Sequence, residues 1–129
     1  MIKKLVVIFF LFLPLACFAK WTEVARTIRN PPDIYLIDFG TAIKKDGLLR
    51  LWTLTNFGAP LVDNTINSAK SFEEIDCAES KKRTLQSTGY SEFDGNGKSV
   101  LSINSPEWKF VVPGSVFEDV LKAACAFKK

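Results

Sequence analysis

The sequence predicts an α+β fold: a twisted antiparallel β-sheet of about six strands, with one C-terminal helix packed on a face and tethered by a disulfide bond. Three observations support this prediction. Residues 34–57 and 84–103 each contain two strand-like segments around a glycine-containing turn. Residues 113–129 carry a helical pattern, and two cysteines lie outside the N-terminal segment.

The first hairpin turns at Asp46-Gly47, a dipeptide typical of two-residue turns. With this turn, the facing residues are expected to be Phe39 and Leu54, Thr41 and Trp52, and Ile43 and Arg50. The pairing places Trp52 in the core, where a large aromatic side chain in a small domain is more common than on a binding surface.

The second hairpin turns within Asp94-Gly95-Asn96-Gly97, where the glycines favour a turn over a calcium loop. We expect one apolar face from two facing pairs, Tyr90 with Leu101 and Thr88 with Ile103. Further strands are expected at residues 21–27, which begin the sheet, and at residues 70–80. The prolines at residues 31–32 indicate a break, and residues 58–69 are interpreted as a polar loop.

The C-terminal helix is expected to begin after Pro113 and Gly114, with Ser115 as N-cap and Glu118 completing a capping box. Its apolar residues fall on two adjacent rows, which form one continuous stripe. The rows are Phe117, Leu121 and Cys125, and Val116, Val120 and Ala124.

Residues 1–19 have the pattern of a secretory signal peptide, with Lys3 and Lys4 before an apolar run at residues 5–18. The run is shorter than the roughly 20 residues that span a bilayer. We expect cleavage after Ala19, which leaves residues 20–129 as a single domain without a transmembrane segment. The alternative is lipid attachment at Cys17, although Pro14 departs from the usual lipoprotein signal.

The exported chain keeps two cysteines, Cys77 and Cys125, and an oxidising compartment favours a structural disulfide between them. The sequence has no histidine, which argues against thiol or serine catalysis and against a zinc site. We therefore expect no cofactor, no metal and no enzymatic activity. Loss of two lysines with the signal reduces the charge excess from three to one, so nothing favours nucleic acid as a partner.

Two regions are candidate contact sites: the polar loop at residues 58–69 and the basic stretch (residues 81–83: Lys81, Lys82 and Arg83). The basic stretch suits an acidic partner, but it is also typical of a solvated strand end. Nearby acids, among them Glu73 and Glu74, oppose its charge. Strand alternation puts these two glutamates on opposite faces, so they form no acid–base pair. We expect alanine at all three basic positions to weaken binding while leaving stability nearly unchanged.

Several motifs resemble, in the same order, those of the surface-adhesin protein E family of small exported bacterial domains. They are the early Trp21, IYLID, LWTLTNF, Asp76-Cys77 before basic residues, the glycine-rich hairpin, and the segment from Trp108 to Ser115 leading to Cys125. The resemblance implies a disulfide-tethered sheet and helix. It also implies a non-enzymatic adhesin that binds host extracellular-matrix proteins at the cell surface. The alternative is a periplasmic inhibitor or accessory module that binds another exported protein.

Overall fold

A computed structural model describes residues 20–128. The predicted signal peptide, its cleavage after Ala19 and the alternative at Cys17 concern residues outside this range or at its border. Six strands and one α-helix follow one another along the chain. They are β1 (Thr22–Arg26), β2 (Ile34–Lys45), β3 (Leu48–Leu61), β4 (Ile66–Asp76), β5 (Lys81–Tyr90), β6 (Ser99–Phe110) and α1 (Val116–Ala126). A short 3-10 turn at Phe93–Gly95 separates β5 from β6.

The strands form one antiparallel sheet in the order β1-β2-β3-β4-β5-β6, so each strand pairs with its neighbours in sequence. The helix packs on one face, where Leu121 and Ala124 join a buried core of sheet residues. The buried sheet members are Ile37, Ala42, Leu49, Leu51 and Ile75. We call the opposite surface of the sheet the helix-free face. The predicted fold class is confirmed.

The disulfide joins Cys77 to Cys125, as the cysteine count indicated. Cys77 lies directly after β4, and Cys125 lies in the last turn of α1. The bond therefore attaches the end of the helix to the middle of the sheet, since β4 has neighbours on both sides. Its position next to the core agrees with a structural role.

The first hairpin follows the predicted register only near its turn, where Ile43 faces Arg50. Farther along, Trp52 faces Asp38 rather than Thr41, because the register shifts between Asp38 and Ile43. Side chains stabilise this bulge: the Thr41 hydroxyl donates to the Asp38 carbonyl at 2.7 Å and accepts from the Trp52 N–H at 3.0 Å.

The predicted pair of Phe39 and Leu54 is accordingly wrong, and Leu54 faces Leu36. Trp52 is half-buried and does not belong to the core between sheet and helix. It lies on the helix-free face, where its ring stacks on Phe72 with centroids 5.2 Å apart.

Residues 58–69 are not a loop. Strand β3 continues to Leu61 and pairs there with Ile66, so the turn occupies only residues 62–65. The proline at position 60 is tolerated because β2 begins at Ile34, opposite Asn56, and so leaves the end of β3 without a partner on that side.

The second hairpin turns where the sequence predicted, but its register differs by one residue. Leu101 faces Gly89 rather than Tyr90, and Ile103 faces Ser87 rather than Thr88. Next to the turn the difference is larger, since Tyr90 faces Ser99, and a register shift between Gly89 and Tyr90 reduces it to one residue. The expected apolar face is not formed, and most side chains of β6 are exposed.

Helix α1 has Ser115 at its N-cap position but no capping box. The Ser115 hydroxyl donates to the Val112 carbonyl at 2.6 Å instead of accepting from the helix. Glu118 receives a hydrogen bond from Lys122 at 3.1 Å, one turn later. A local contact of Ser115 with the turn before the helix therefore replaces the capping interaction that the sequence favoured.

Candidate functional site

The basic stretch begins β5, directly after the turn that follows Cys77. Because successive residues of a strand point to opposite faces, its three cations separate. Lys81 and Arg83 lie on the helix-free face, both over the ring of Trp108 in β6. Lys82 points to the helix side, where its ammonium lies 4.6 Å from the ring centre of Phe117.

Arg83 pairs with a buried carboxylate, that of Glu74, whose residue is only 1% exposed. The sheet register places Arg50, Glu74 and Arg83 side by side on β3, β4 and β5. Arg50 Nε donates to Glu74 Oε2 at 2.6 Å, and Arg83 Nε donates to Glu74 Oε1 at 2.7 Å. Burial alone would raise the pKa of Glu74, but the hydrogen bonds and charges of both arginines hold that pKa below its ordinary value.

Lys82 lies near a second buried carboxylate, Glu73, on the helix side of the sheet. Its ammonium is 3.8 Å from Glu73 Oε1, while the Thr84 hydroxyl donates to Glu73 Oε2 at 2.9 Å. Burial raises the pKa of Glu73, and the lysine charge and the threonine hydrogen bond offset this only in part. The pKa values of the two adjacent glutamates are therefore shifted in opposite directions.

Trp108 gives the basic stretch an aromatic neighbour. The Lys81 ammonium lies 5.3 Å from its ring centre, and the Arg83 guanidinium carbon lies 4.6 Å away. Cations at this distance from an indole face are attracted to its π-system. The stacked rings of Trp52 and Phe72 lie on the same face, so aromatic and cationic side chains alternate across it. Such a surface suits a partner that carries negative charge.

These contacts correct the expectation that all three basic residues could be replaced with little loss of stability. Arg83 and Lys82 neutralise carboxylates that are almost completely buried, and a buried charge without its partner is costly. Within residues 20–128, Lys81 takes part in no ion pair and remains the member of the stretch that is suited to a binding test.

Sequence reasoning missed the burial of Glu73 and Glu74. Their neighbouring acids suggested a solvated charged segment, whereas Glu73 and Glu74 are buried in the sheet. A signal was present: two consecutive glutamates in the middle of a predicted strand, between strands that carry arginine. This signal is informative only when the pairing of β3, β4 and β5 is known, because that pairing places Arg50 and Arg83 beside Glu74.

The turn residues at positions 94–97 have a structural role. Asp94 Oδ1 accepts from Asn56 Nδ2 at 2.9 Å, and the Asp94 N–H donates to Asn56 Oδ1 at 2.8 Å. This reciprocal pair attaches the second hairpin to β3. The Asp94 carboxylate is therefore used in a hydrogen bond within the chain, which agrees with a turn rather than a calcium loop at this position.

The described residues contain no cluster of three or more His, Cys, Asp or Glu side chains that could hold a metal ion. Over the same part of the chain, no helix is both long enough and apolar enough to cross a membrane. The contacts of the candidate site are ion pairs, hydrogen bonds and cation–aromatic contacts within the chain.

Comparison with known proteins identifies a matching family for the sequence and similar solved structures for the fold. The family model described as surface-adhesin protein E matches residues 21–126. No curated protein sequence matches the chain. Solved structures of Haemophilus influenzae protein E are similar. Crystal form II is 16% identical with a TM-score of 0.56, covering 71% of this chain and 80% of that one.

Protein E from non-typeable Haemophilus influenzae is 13% identical with a TM-score of 0.55, covering 88% of this chain and 80% of that one. At this identity the structural likeness shows a common fold. The match to the family model shows more, because it extends over almost all the residues that the structure describes. The chain therefore belongs to the surface-adhesin protein E family.

Proposed function

We propose that this chain is a non-enzymatic adhesin of the bacterial cell surface that binds host extracellular-matrix proteins. The observation that carries the proposal is the family match over residues 21–126. The signal-like pattern of residues 1–19 supports export, and the disulfide is consistent with an oxidising compartment.

The contact region that we propose is the basic stretch together with Trp108. Lys81 supplies a charge that no carboxylate among residues 20–128 neutralises, while Trp108 supplies a half-buried aromatic surface beside it. Tryptophan and arginine are enriched at the energetic centres of protein interfaces. A negatively charged segment of a matrix protein would meet both at this position.

The test is binding of the oxidised protein to immobilised vitronectin and laminin at low and physiological salt. We expect saturable binding, and we expect Lys81→Ala to weaken it about two- to fivefold, the effect of one exposed charge pair. Lys98→Ala is the matched control, since it removes the same charge at the other end of the second hairpin. No saturable binding by the folded protein, or equal weakening by both variants, would contradict the proposal.

The location of the protein separates adhesion from the alternative of a periplasmic inhibitor. Intact cells that express the full chain are treated with a protease or a membrane-impermeant label. An adhesin is expected to be cleaved or labelled on intact cells. Protection until the outer membrane is opened would favour the periplasmic alternative.

A further inference from the structure

A groove lies at the edge of the sheet near the start of the helix, and residues from both faces of the sheet line it. It has a volume of about 610 Å³, within the range of ligand-binding clefts. One wall is formed by β5 and β6, and the other by the segment that leads into α1. Phe110, Val112 and Phe117 supply its apolar surface.

These three apolar side chains are unusually accessible. Phe110 is 73% exposed, Val112 is 67% exposed and Phe117 is 42% exposed. Single exposed apolar residues are ordinary, but a contiguous group around a concave surface marks an interaction site. These exposed side chains therefore favour binding of an apolar group from another molecule in the groove.

The charged rim of the groove is mainly positive. Lys82 and Lys109 face each other across β5 and β6, and Glu107 is the one acidic residue that lines the groove. Arg83 also lines it, but its guanidinium is engaged by Glu74. Lys109 forms no ion pair within residues 20–128. A ligand that adds a carboxylate beside its apolar group would complement this rim.

The same wall is an open edge of the sheet. Strand β6 is outermost, 12 residues long, and without charge over residues 99–105. The other edge strand, β1, has only five residues, including Glu23 and Arg26. Long uncharged edges accept an additional strand, whereas short charged edges resist one. A chain paired beside β6 would direct alternate side chains toward the groove.

We propose that this groove binds an extended segment of a protein partner, in which a large apolar side chain lies two residues from a carboxylate. The apolar side chain contacts Phe110, Val112 and Phe117, and the carboxylate contacts Lys109, which forms no ion pair within residues 20–128. This inference rests on the proposed function, because it takes the ligand to be a protein. It differs in placing the main contact in the groove rather than on Lys81 and Trp108.

The test uses protein purified after expression of the full chain, and three fluorescein-labelled octapeptides measured by fluorescence anisotropy. In the first, serine occupies every second position, and phenylalanine and glutamate alternate at the positions between, so that both side chains point to one face of an extended chain. The second replaces each glutamate by lysine, and the third replaces each phenylalanine by serine. We expect saturable binding of the first peptide and binding about tenfold or more weaker for the other two. Equal binding of all three, or of none, would overturn the inference.

Two variants locate the binding. Phe110→Ser is expected to weaken binding of the first peptide about tenfold, while Ile103→Ser, an exposed position of β6 that does not line the groove, is expected to leave it unchanged. Lys109→Glu, at an exposed position, is expected to shift the preference toward the lysine peptide. Unchanged affinity in both groove variants would refute the assignment. Self-association that Phe110→Ser abolishes would assign the groove to a second copy instead.

Parallel measurements on vitronectin and laminin separate this inference from the proposed function. If the matrix proteins bind and the first peptide does not, only the inference about the groove fails. If the peptide binds in the groove and neither matrix protein binds, the proposed function fails and the groove remains a site for another protein partner.

Discussion

Replacing Arg83 by alanine tests the reasoning about the buried carboxylates most directly. The substitution removes one of the two cations that neutralise Glu74, whose residue is 1% exposed. Arg50 stays in place with its Nε 2.6 Å from the carboxylate, although it is half exposed and therefore a weaker partner than a buried cation.

The magnitude follows from these contacts. Breaking a fully buried ion pair costs about 3–5 kcal/mol, and the remaining arginine offsets part of this loss. We expect Arg83→Ala to lower the free energy of unfolding by about 2 kcal/mol. For a domain of this size, about 4 °C per kcal/mol gives a Tm lower by about 8 °C.

The assay is thermal and urea unfolding of the oxidised protein, followed by circular dichroism. Lys81→Ala is the matched control, since it removes an equal charge over the same Trp108 ring but breaks no ion pair among residues 20–128. We expect it to lower stability by about 0.5 kcal/mol or less. Adding Glu74→Gln to Arg83→Ala should restore about 1 kcal/mol, because no buried charge then lacks its partner.

Two outcomes would refute this reasoning. The first is an equal loss of stability in Arg83→Ala and Lys81→Ala, which would show that the ion pair with Glu74 contributes nothing measurable. The second is a double variant less stable than Arg83→Ala alone, which would show that the destabilisation does not come from an uncompensated carboxylate.

Two further predictions concern stability. Cys125→Ser removes the disulfide between two cysteines 48 residues apart, and in the chain-entropy model this lowers the free energy of unfolding by about 4 kcal/mol. A Tm equal to that of the oxidised wild type would contradict a stabilising disulfide. Burial raises the pKa of Glu73 in the folded protein above its value of about 4.3 in the unfolded chain. The contribution of this carboxyl group to the free energy of unfolding is therefore fully present below the unfolded-state pKa and is lost as pH rises through the folded-state pKa. Glu73→Gln should therefore gain stability relative to wild type as pH rises from about 4 to 7, measured by urea unfolding, and a constant difference would disprove the assignment.

The pairing of the strands was predictable only close to the tight turns. Asp46-Gly47 correctly placed Ile43 opposite Arg50, because a two-residue turn determines the first few pairs. The register shift between Asp38 and Ile43 depends on hydrogen bonds that Thr41 makes with both strands. The alternation of apolar residues in the sequence does not reveal these hydrogen bonds. Trp52 faces away from the helix because it follows Leu51, which is buried in the core between sheet and helix.

The candidate site depended on this register. The sequence identified Lys81, Lys82 and Arg83 as a group, but not that two of them neutralise buried carboxylates. Nor did it indicate that Trp108 would lie beside the stretch, since Trp108 reaches β5 through an irregular part of β6. These contacts join residues that are distant in the chain.

The sequence by itself determined the class of fold, the single C-terminal helix, the disulfide and the family resemblance. These features follow from turn residues, helical periodicity and cysteine count, which are local properties of the chain. The tertiary structure alone decided that Glu73 and Glu74 are buried with opposite pKa shifts, and that Phe110, Val112 and Phe117 form an exposed groove. Burial and proximity arise only when strands pair and the helix packs, because both depend on the distances between separate elements.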